Sequence, residues 1–236
     1  MRSRLQVLLA GLLLAGLDDA RAGPVNNHAM NLAPLPDPAL PFSPAAERNS
    51  APMLAALAPL LPATAQVLEV ASGTGQHAAF FMARQPGWQW QPTDAAAAAL
   101  PAIAARCAGL PGVLAPQVLD VATQPWPFAA GAFDAVFVAN LLHIAPWPAT
   151  AGLMQGAAAC LKPGGVLVVY GPFIVDGQPL APSNAAFDAD LRQRQPLWGL
   201  RRLHDVQQQA AHAGLKLQHT LQMPANNLLL VLRPPG

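Results

Sequence analysis

The chain has 236 residues, 53% of them hydrophobic and 11% charged, with a formal net charge of +1. That length is enough to bury a sizeable core, and the hydrophobic content excludes a disordered chain. The balance of 13 Lys and Arg against 12 Asp and Glu excludes charge-driven binding to a nucleic-acid backbone, so no nucleic-acid partner is expected.

Arg2 and Arg4 precede an apolar run over residues 5–17, and Ala20-Arg21-Ala22 follows with the small residues of a cleavage site. Residues 1–29 therefore read either as a signal-peptide-like segment, cleaved after residue 22 on export, or as an over-extended N-terminus ahead of a true start near Met30. The run is too short for a stable membrane span. Residues 30–43 form a proline-rich lead-in that suits neither a helix interior nor a central strand. No repeat or second linker follows, so residues 44–233 are expected to form one domain.

Within that domain, apolar strand-like runs at 66–70, 88–93, 116–121, 133–140 and 165–171 alternate with helical stretches at 76–84, 95–107 and 147–161. Short buried strands separated by helices imply right-handed crossovers and a parallel sheet covered on both faces. A helix over 203–213, closed by Gly214, leads to strands at 215–223 and 227–233. The three-residue connection Pro224-Ala225-Asn226 can join only antiparallel neighbours. Cys107 and Cys160 lie in different predicted helices without metal-ligand or redox spacing, so they read as reduced structural residues and no metal site is expected.

Ligands of such sheets bind at the carboxyl ends of the strands. The first strand ends in Glu69-Val70-Ala71-Ser72-Gly73-Thr74-Gly75, a glycine-rich turn opening a helix, where backbone can approach a nucleotide closely. Asp94 closes the second strand at the roughly 20-residue spacing from which a carboxylate accepts ribose hydroxyls, and it would also suit a helix cap. Asp120 with the neighbouring Val121 N–H could meet an adenine edge, or Asp120 could simply open a turn. Gly73-Thr74-Gly75-Gln76-His77-Ala78 fits the dinucleotide pattern G-x-G-x-x-A and so an NAD-dependent oxidoreductase. The alternative template, acidic-x-G-x-G-x-G, fits from Glu69 onward with Ala71 replacing the first glycine, a change expected to narrow the turn. It explains Glu69 better, because a buried strand acid is costly unless placed to receive hydrogen bonds near a cationic ligand.

This turn, with Asp94, Asp120, Phe133-Asp134-Ala135-Val136 and Leu161-Lys162-Pro163-Gly164-Gly165, resembles the class I S-adenosylmethionine-dependent methyltransferases. A closer resemblance is to a methyltransferase-like family catalogued as domain of unknown function 938. It runs through Ala46-Glu47-Arg48-Asn49, Ser72 to His77, Trp90 to Asp94, Asn140 to Trp147, Tyr170 to Phe173, Pro182 to Asp188, Trp198 to Arg201 and Met223 to Asn227. The resemblance implies an α/β fold, a Rossmann-like three-layer sandwich whose mostly parallel seven-stranded sheet has an antiparallel last strand. It implies S-adenosyl-L-methionine as cofactor, surrounded by Glu69, Ala71, Ser72, Gly73, Gly75, Asp94, Asp120, Val121 and Asn140.

The expected function is methyl transfer to a small-molecule acceptor. The alternatives are a non-catalytic binding protein on the same fold, which Ala71 keeps open, and the NAD-dependent oxidoreductase. Methyl transfer is an in-line displacement that demands alignment before acid–base chemistry. His143 is the candidate base, with Tyr170 and Asn140 as further catalytic candidates. Arg48, Asn49, His77, Ser183, Asn184, Asp188 and Asn226 are polar enough to line the acceptor pocket. S-adenosylmethionine is kept in the cytoplasm, which favours a cytoplasmic protein starting near Met30.

Overall fold

The structure, a computed structural model, describes residues 40–235, and the expectations for residues 1–29 and most of the lead-in lie outside that span. Its elements are α1 (Pro44–Leu57), β1 (Gln66–Val70), α2 (Gln76–Met82), β2 (Gln89–Asp94), α3 (Leu100–Arg106), β3 (Gln117–Val118), β4 (Phe133–Ala139), α4 (Pro148–Cys160) and β5 (Leu161–Gly171). There follow β6 (Phe173–Ile174), α5 (Pro182–Arg194), β7 (Arg201–Arg202), α6 (Leu203–His212), β8 (Lys216–Met223) and β9 (Asn227–Arg233).

Seven strands form one sheet in the order β3-β2-β1-β4-β5-β9-β8. β1 pairs in parallel with β2 and β4, as do β2 with β3 and β4 with β5. β9 is antiparallel to both β5 and β8, so the last strand of the chain alone is reversed, as expected from its tight connection. β6 and β7 make a separate two-stranded parallel pair.

Side chains alternate across the strands and divide the core in two. Val67, Ala135, Phe137, Val166, Val168, Tyr170, Leu229 and Val231 pack under α1 and α2 with Met53, Leu57 and Phe81. Leu68, Val70, Val136, Val138, Leu167, Val169 and Leu230 pack on the other face with Leu153 and Met154 of α4 and Val206 and Ala210 of α6. Each large apolar side chain so buried contributes about 1.5–3 kcal/mol. The close fit of α4 depends on Gly156, where an added Cβ would fall inside the Trp126 indole. Trp126 is thereby a core residue, bonded through Nε1 to the Val121 carbonyl at 3.3 Å.

Four expectations change. The 116–121 strand shrinks to Gln117–Val118, because Asp120 starts a turn by accepting from Ala122 N at 2.9 Å. The 95–107 helix begins later, with a 3₁₀ turn at Ala97–Ala99 and then α3. Neither α1 nor α5 was expected. α1 starts where the proline-rich segment ends: Ser43 Oγ accepts from Ala46 N at 3.2 Å, Pro44 occupies the first turn, and Pro52 sits inside the helix. α5 buries only Asn184 and Leu191, so it lacks the apolar stripe that announces a helix.

Candidate functional site

Three left-handed residues alternate through the turn from β1 into α2: Ala71 (φ +56), Gly73 (φ +57) and Gly75 (φ +73). Ala71 therefore takes the glycine-type backbone itself instead of narrowing the turn, at a cost of about 1–2 kcal/mol. The turn is pinned to the end of β2. Ser72 N donates to Thr93 O at 2.7 Å, Thr93 N donates to Ser72 Oγ at 3.1 Å, and Gly73 N donates to Asp94 Oδ2 at 3.0 Å. A Cβ on Gly73 would have no atom closer than 4.0 Å, whereas one on Gly75 would press on Ile103 Cα of α3 at 3.1 Å. The turn is thus open at Gly73 and closed at Gly75.

Asp94 is 2% exposed. Its second oxygen, Oδ1, accepts from Ala96 N at 2.9 Å. Each oxygen thus has one backbone donor and one further acceptor position. The structure contains no helix cap at Asp94, since the 3₁₀ turn has Ala96 at its cap position.

Glu69 is 1% exposed and sits among aromatic rings under α2. Its Oε2 accepts from Ser72 Oγ at 2.8 Å and Trp90 Nε1 at 2.9 Å, and its Oε1 lies 3.8 Å from His77 Nδ1. Trp90 in turn meets Phe81 edge-on at 5.5 Å between ring centroids, and Phe81 meets Phe137 at the same distance. Burial in this box pushes the Glu69 carboxyl up to about 7, against the pull of the Trp90 and Ser72 hydrogen bonds. Burial alone brings His77 down to about 4. The His77 Nε2 is buried without a hydrogen-bond partner.

Beyond β4, Asn140 takes a left-handed conformation (φ +62), and its N–H donates to Tyr170 O at 2.8 Å. Its carboxamide and the His143 ring both face Gly171: a Cβ there would lie 3.7 Å from Asn140 Oδ1 and 3.5 Å from His143 Nδ1. His143 is buried, with Phe187 of α5 packed edge-on at 5.3 Å. Burial, and then the Arg201 charge, bring its imidazole down to about 4. The loop that carries it is fastened from outside. Arg201 donates to Leu142 O at 2.9 Å, Ala145 O at 2.6 Å and Leu197 O at 2.9 Å, and Gly199 N donates to His143 O at 2.9 Å.

The structure brings Ala71, Ser72, Gly73, Gly75, Glu69, His77 and Asp94 together around the turn, and Asn140 and His143 together at the ends of β4 and β5. Leu119 N donates to Asp94 O at 3.0 Å, so Asp120 follows beside the end of β2, exposed and spending Oδ1 on its own turn, while Val121 is buried against α4 with its carbonyl toward Trp126. The structure separates others. Tyr170 points to the α1 face, whereas Leu142 and Ala145 beside His143 pack on the α4 face. Asn184 Nδ2 donates to Asn226 O at 3.0 Å and Asn226 Nδ2 to Ser183 Oγ at 3.3 Å, so these three join α5 to the β8–β9 connection. Asp188 is a positioning group: its carboxylate accepts from Arg192 Nε at 2.9 Å and Leu200 N at 2.7 Å. Arg48 is exposed and Asn49 half-buried on α1.

Several residues with a part in this arrangement were not singled out from sequence. Trp90 holds Glu69, and Arg201 holds the His143 loop. Gln76 and Arg106 tie the lead-in to the turn: Gln76 Oε1 accepts from Ser43 N at 2.6 Å, and Arg106 donates to Thr74 O at 2.7 Å and Pro41 O at 2.5 Å. Trp90, Gln76 and Arg201 lie inside the resembling segments, which could have marked them; Arg106, 32 positions from Thr74, has no such signal in the sequence. Conversely, Asp134 and Lys162, both in resembling segments, pair at 2.8 Å beside the start of β1, at the opposite end of the sheet.

A parallel sheet with one reversed strand, and a glycine turn bonded to an acid at the end of β2, define the class I methyltransferase fold. CalO1, a methyltransferase in calicheamicin biosynthesis solved in its SAH-bound form, is 19% identical, with a TM-score of 0.64 over 81% of this chain and 54% of that one. An O-methyltransferase family 2 protein from Planctomyces limnophilus, solved in complex with apigenin, is 21% identical, with a TM-score of 0.66 over 81% and 58% of the two chains. An O-methyltransferase family protein from Burkholderia thailandensis is 22% identical, with a TM-score of 0.65 over 79% and 56%. The likeness is one of fold, and this chain spans a little over half the length of these proteins. The chain belongs to the family described as "Protein of unknown function (DUF938)", whose model matches residues 40–234.

Proposed function

We propose that this protein binds S-adenosyl-L-methionine across the glycine turn and transfers its methyl group to a small-molecule acceptor at the ends of β4 and β5. The observation that carries the reading is Asp94. Both of its oxygens are oriented by backbone donors, and the acceptor position left on each matches the two hydroxyls of a ribose. The open side at Gly73 admits a ligand against the backbone. Glu69 and Ser72 would face the cationic end of the cofactor, and Asp120 with Val121 its adenine. An NAD-binding fold would repeat the βαβαβ half after β4, whereas here β9 is reversed.

When bound, the cofactor supplies an electrophilic methyl on a sulfonium centre. The remaining work is alignment. Asn140 orients the acceptor through its carboxamide, and His143, neutral at physiological pH because of its burial, takes the proton of a hydroxyl or amine acceptor on a ring nitrogen. Arg201 keeps that ring in place by fixing the loop backbone. The small-molecule acceptor follows the solved structures by analogy, one of them a complex with apigenin. A thermal-shift comparison tests the cofactor class: S-adenosylhomocysteine raises the melting temperature and NAD does not. Stabilisation by NAD alone would reverse the assignment.

A further inference from the structure

A cavity of about 120 Å³ lies between the start of α5, the segment after β6 and the β8–β9 connection. Phe173 and Leu228, both buried, form its apolar floor, and Gln178, Gln222 and Asn226 stand exposed at its rim. Asn184 also lines it and is only 7% exposed. None of the described residues that line the cavity carries a charge. Asp176, which follows Val175 of the lining, is paired with Arg202 at 2.5 Å.

Asn184 brings to this cavity an acceptor that the fold does not use. Its Nδ2 donates to Asn226 O at 3.0 Å, while its Oδ1 joins no hydrogen bond among the described residues. Tying α5 to the hairpin accounts for the nitrogen and not for the oxygen. An amide oxygen so buried is costly without a donor, and α5 otherwise buries only Leu191, so burial alone asks for an apolar residue at 184. The rim is equally uncommitted. Asn226 spends Nδ2 on Ser183 Oγ at 3.3 Å and keeps Oδ1 free, and the Gln178 and Gln222 carboxamides make no hydrogen bond among the described residues. The Asn184 bond also restrains the rim at Ala225 (φ +59) and Asn226 (φ +57), two consecutive left-handed non-glycine residues that persist where surrounding structure imposes them.

The cavity adjoins the pair at the ends of β4 and β5. Leu228 is the strand partner of Gly171, and a Cβ on Gly171 would lie 3.5 Å from His143 Nδ1. Phe173, Leu228 and Leu142 all belong to the α4-side core, which puts the cavity and the His143 loop on one face of the sheet. On α5, Phe187 follows Asn184 by three residues, about 4.5 Å along the axis and on the same side of the helix, and packs edge-on against His143. A buried acceptor with no carboxylate beside it selects a neutral O–H or N–H. An ammonium would bring an unpaired charge, and a carboxylate would have no proton to share with Oδ1. A cavity of about 150 Å³ takes a benzene ring, so one of about 120 Å³ that opens at its rim suits a single small ring. We propose that this cavity binds an uncharged ring whose hydroxyl or amide N–H donates to Asn184 Oδ1. That the ring is the far end of the methyl acceptor, with its nucleophile toward His143, rests on the function proposed above.

The test titrates full-length 15N-labelled protein with cyclohexanol and with δ-valerolactam, followed at the Leu228 and Asn226 amides. Methoxycyclohexane and N-methyl-δ-valerolactam keep each ring without its donor, and cyclohexylammonium and cyclohexanecarboxylate, at constant ionic strength, add a charge. The expected result is a saturable shift with a neutral donor, its apparent Kd at least fivefold tighter than those of the donor-free and charged rings. Tighter binding of cyclohexanol assigns a hydroxyl ring, and tighter binding of the lactam an amide ring. Asn184→Leu should bring donor and donor-free probes within twofold of each other. Ala181→Phe, a change in the lining that removes no hydrogen bond of Asn184, should abolish the shift and keeps the test decisive where Asn184→Leu does not fold. Amides moved by no probe, moved equally by donor-free or charged rings, or moved alike in wild type and Ala181→Phe overturn the proposal, as does an unchanged preference in folded Asn184→Leu. Calorimetry with S-adenosylhomocysteine reads the methyl-transfer function separately. Ring binding without cofactor binding leaves the cavity standing and removes its role as acceptor site, whereas cofactor binding with no ring response overturns the cavity alone.

Discussion

Ala71 is where the residue-scale physics is easiest to isolate. Its left-handed backbone costs about 1–2 kcal/mol. Glycine would relieve that cost while adding about 0.5–1 kcal/mol of unfolded-chain entropy to be lost. Ala71→Gly is therefore expected to stabilise the fold by up to about 1 kcal/mol in denaturant melts, with no loss of S-adenosylhomocysteine binding. Clear destabilisation would mean that the alanine methyl is needed for packing against the α4-side core. Glu69 illustrates the other side of residue-scale reasoning. Its acidity is set by the rings around it and by bonds to Trp90 and Ser72, none of which its own position in the strand announces.

Among the elements, the connection from β4 to α4 bears most on function because it carries His143. Three of its contacts come from the segment between α5 and α6: two carbonyls are held by Arg201 and one by Gly199 N. A guanidinium shared among carbonyls is not replaced by a lysine ammonium, which lacks the planar fork. Arg201→Ala is expected to cost about 2 kcal/mol. It should also accelerate hydrogen exchange at the Gly199 amide, which bonds to His143 O. Arg201→Lys should recover less than half of the lost stability. Unchanged exchange at Gly199 in Arg201→Ala would show that the loop holds its shape without the arginine.

At the scale of the whole molecule, three buried titratable groups give a pH dependence whose sign can be worked out. His77 and His143 stay neutral in the fold down to about 4, while an unfolded imidazole takes a proton below 6.5, so stability falls as pH drops from 6.5 through 4. Glu69 acts in the opposite sense. The fold keeps its proton up to about 7 and the unfolded carboxyl loses it above 4.5, so the stability it lends below 4.5 is lost as pH rises through 7. Two imidazoles outweigh one carboxyl, and the melting temperature should climb between pH 4 and 6.5. Glu69→Gln should make that climb steeper, and identical pH profiles for the two proteins would contradict the burial argument.

The same scale shows what the chain discloses before folding. β1 and β9 match their apolar runs residue for residue, because each crosses the core without interruption. α1 was hidden by Pro44 and Pro52, and α5 by its almost wholly polar surface. Glu69, Gly73 and Asp94 were legible because strand-end position and turn spacing are local properties. The pairings that complete the site, Trp90 to Glu69 and Arg201 to Leu142, join residues 21 and 59 positions apart and become visible only in the fold. The central claim is that this assembled turn holds S-adenosylmethionine through Asp94. Isothermal calorimetry with S-adenosylhomocysteine tests it most directly, on wild-type protein and on Asp94→Ala verified as folded by its melting transition. The account predicts saturable one-to-one binding that Asp94→Ala weakens at least tenfold, the loss of about 1.4 kcal/mol or more. Absence of binding to the wild type, or equal affinity in the variant, would contradict it.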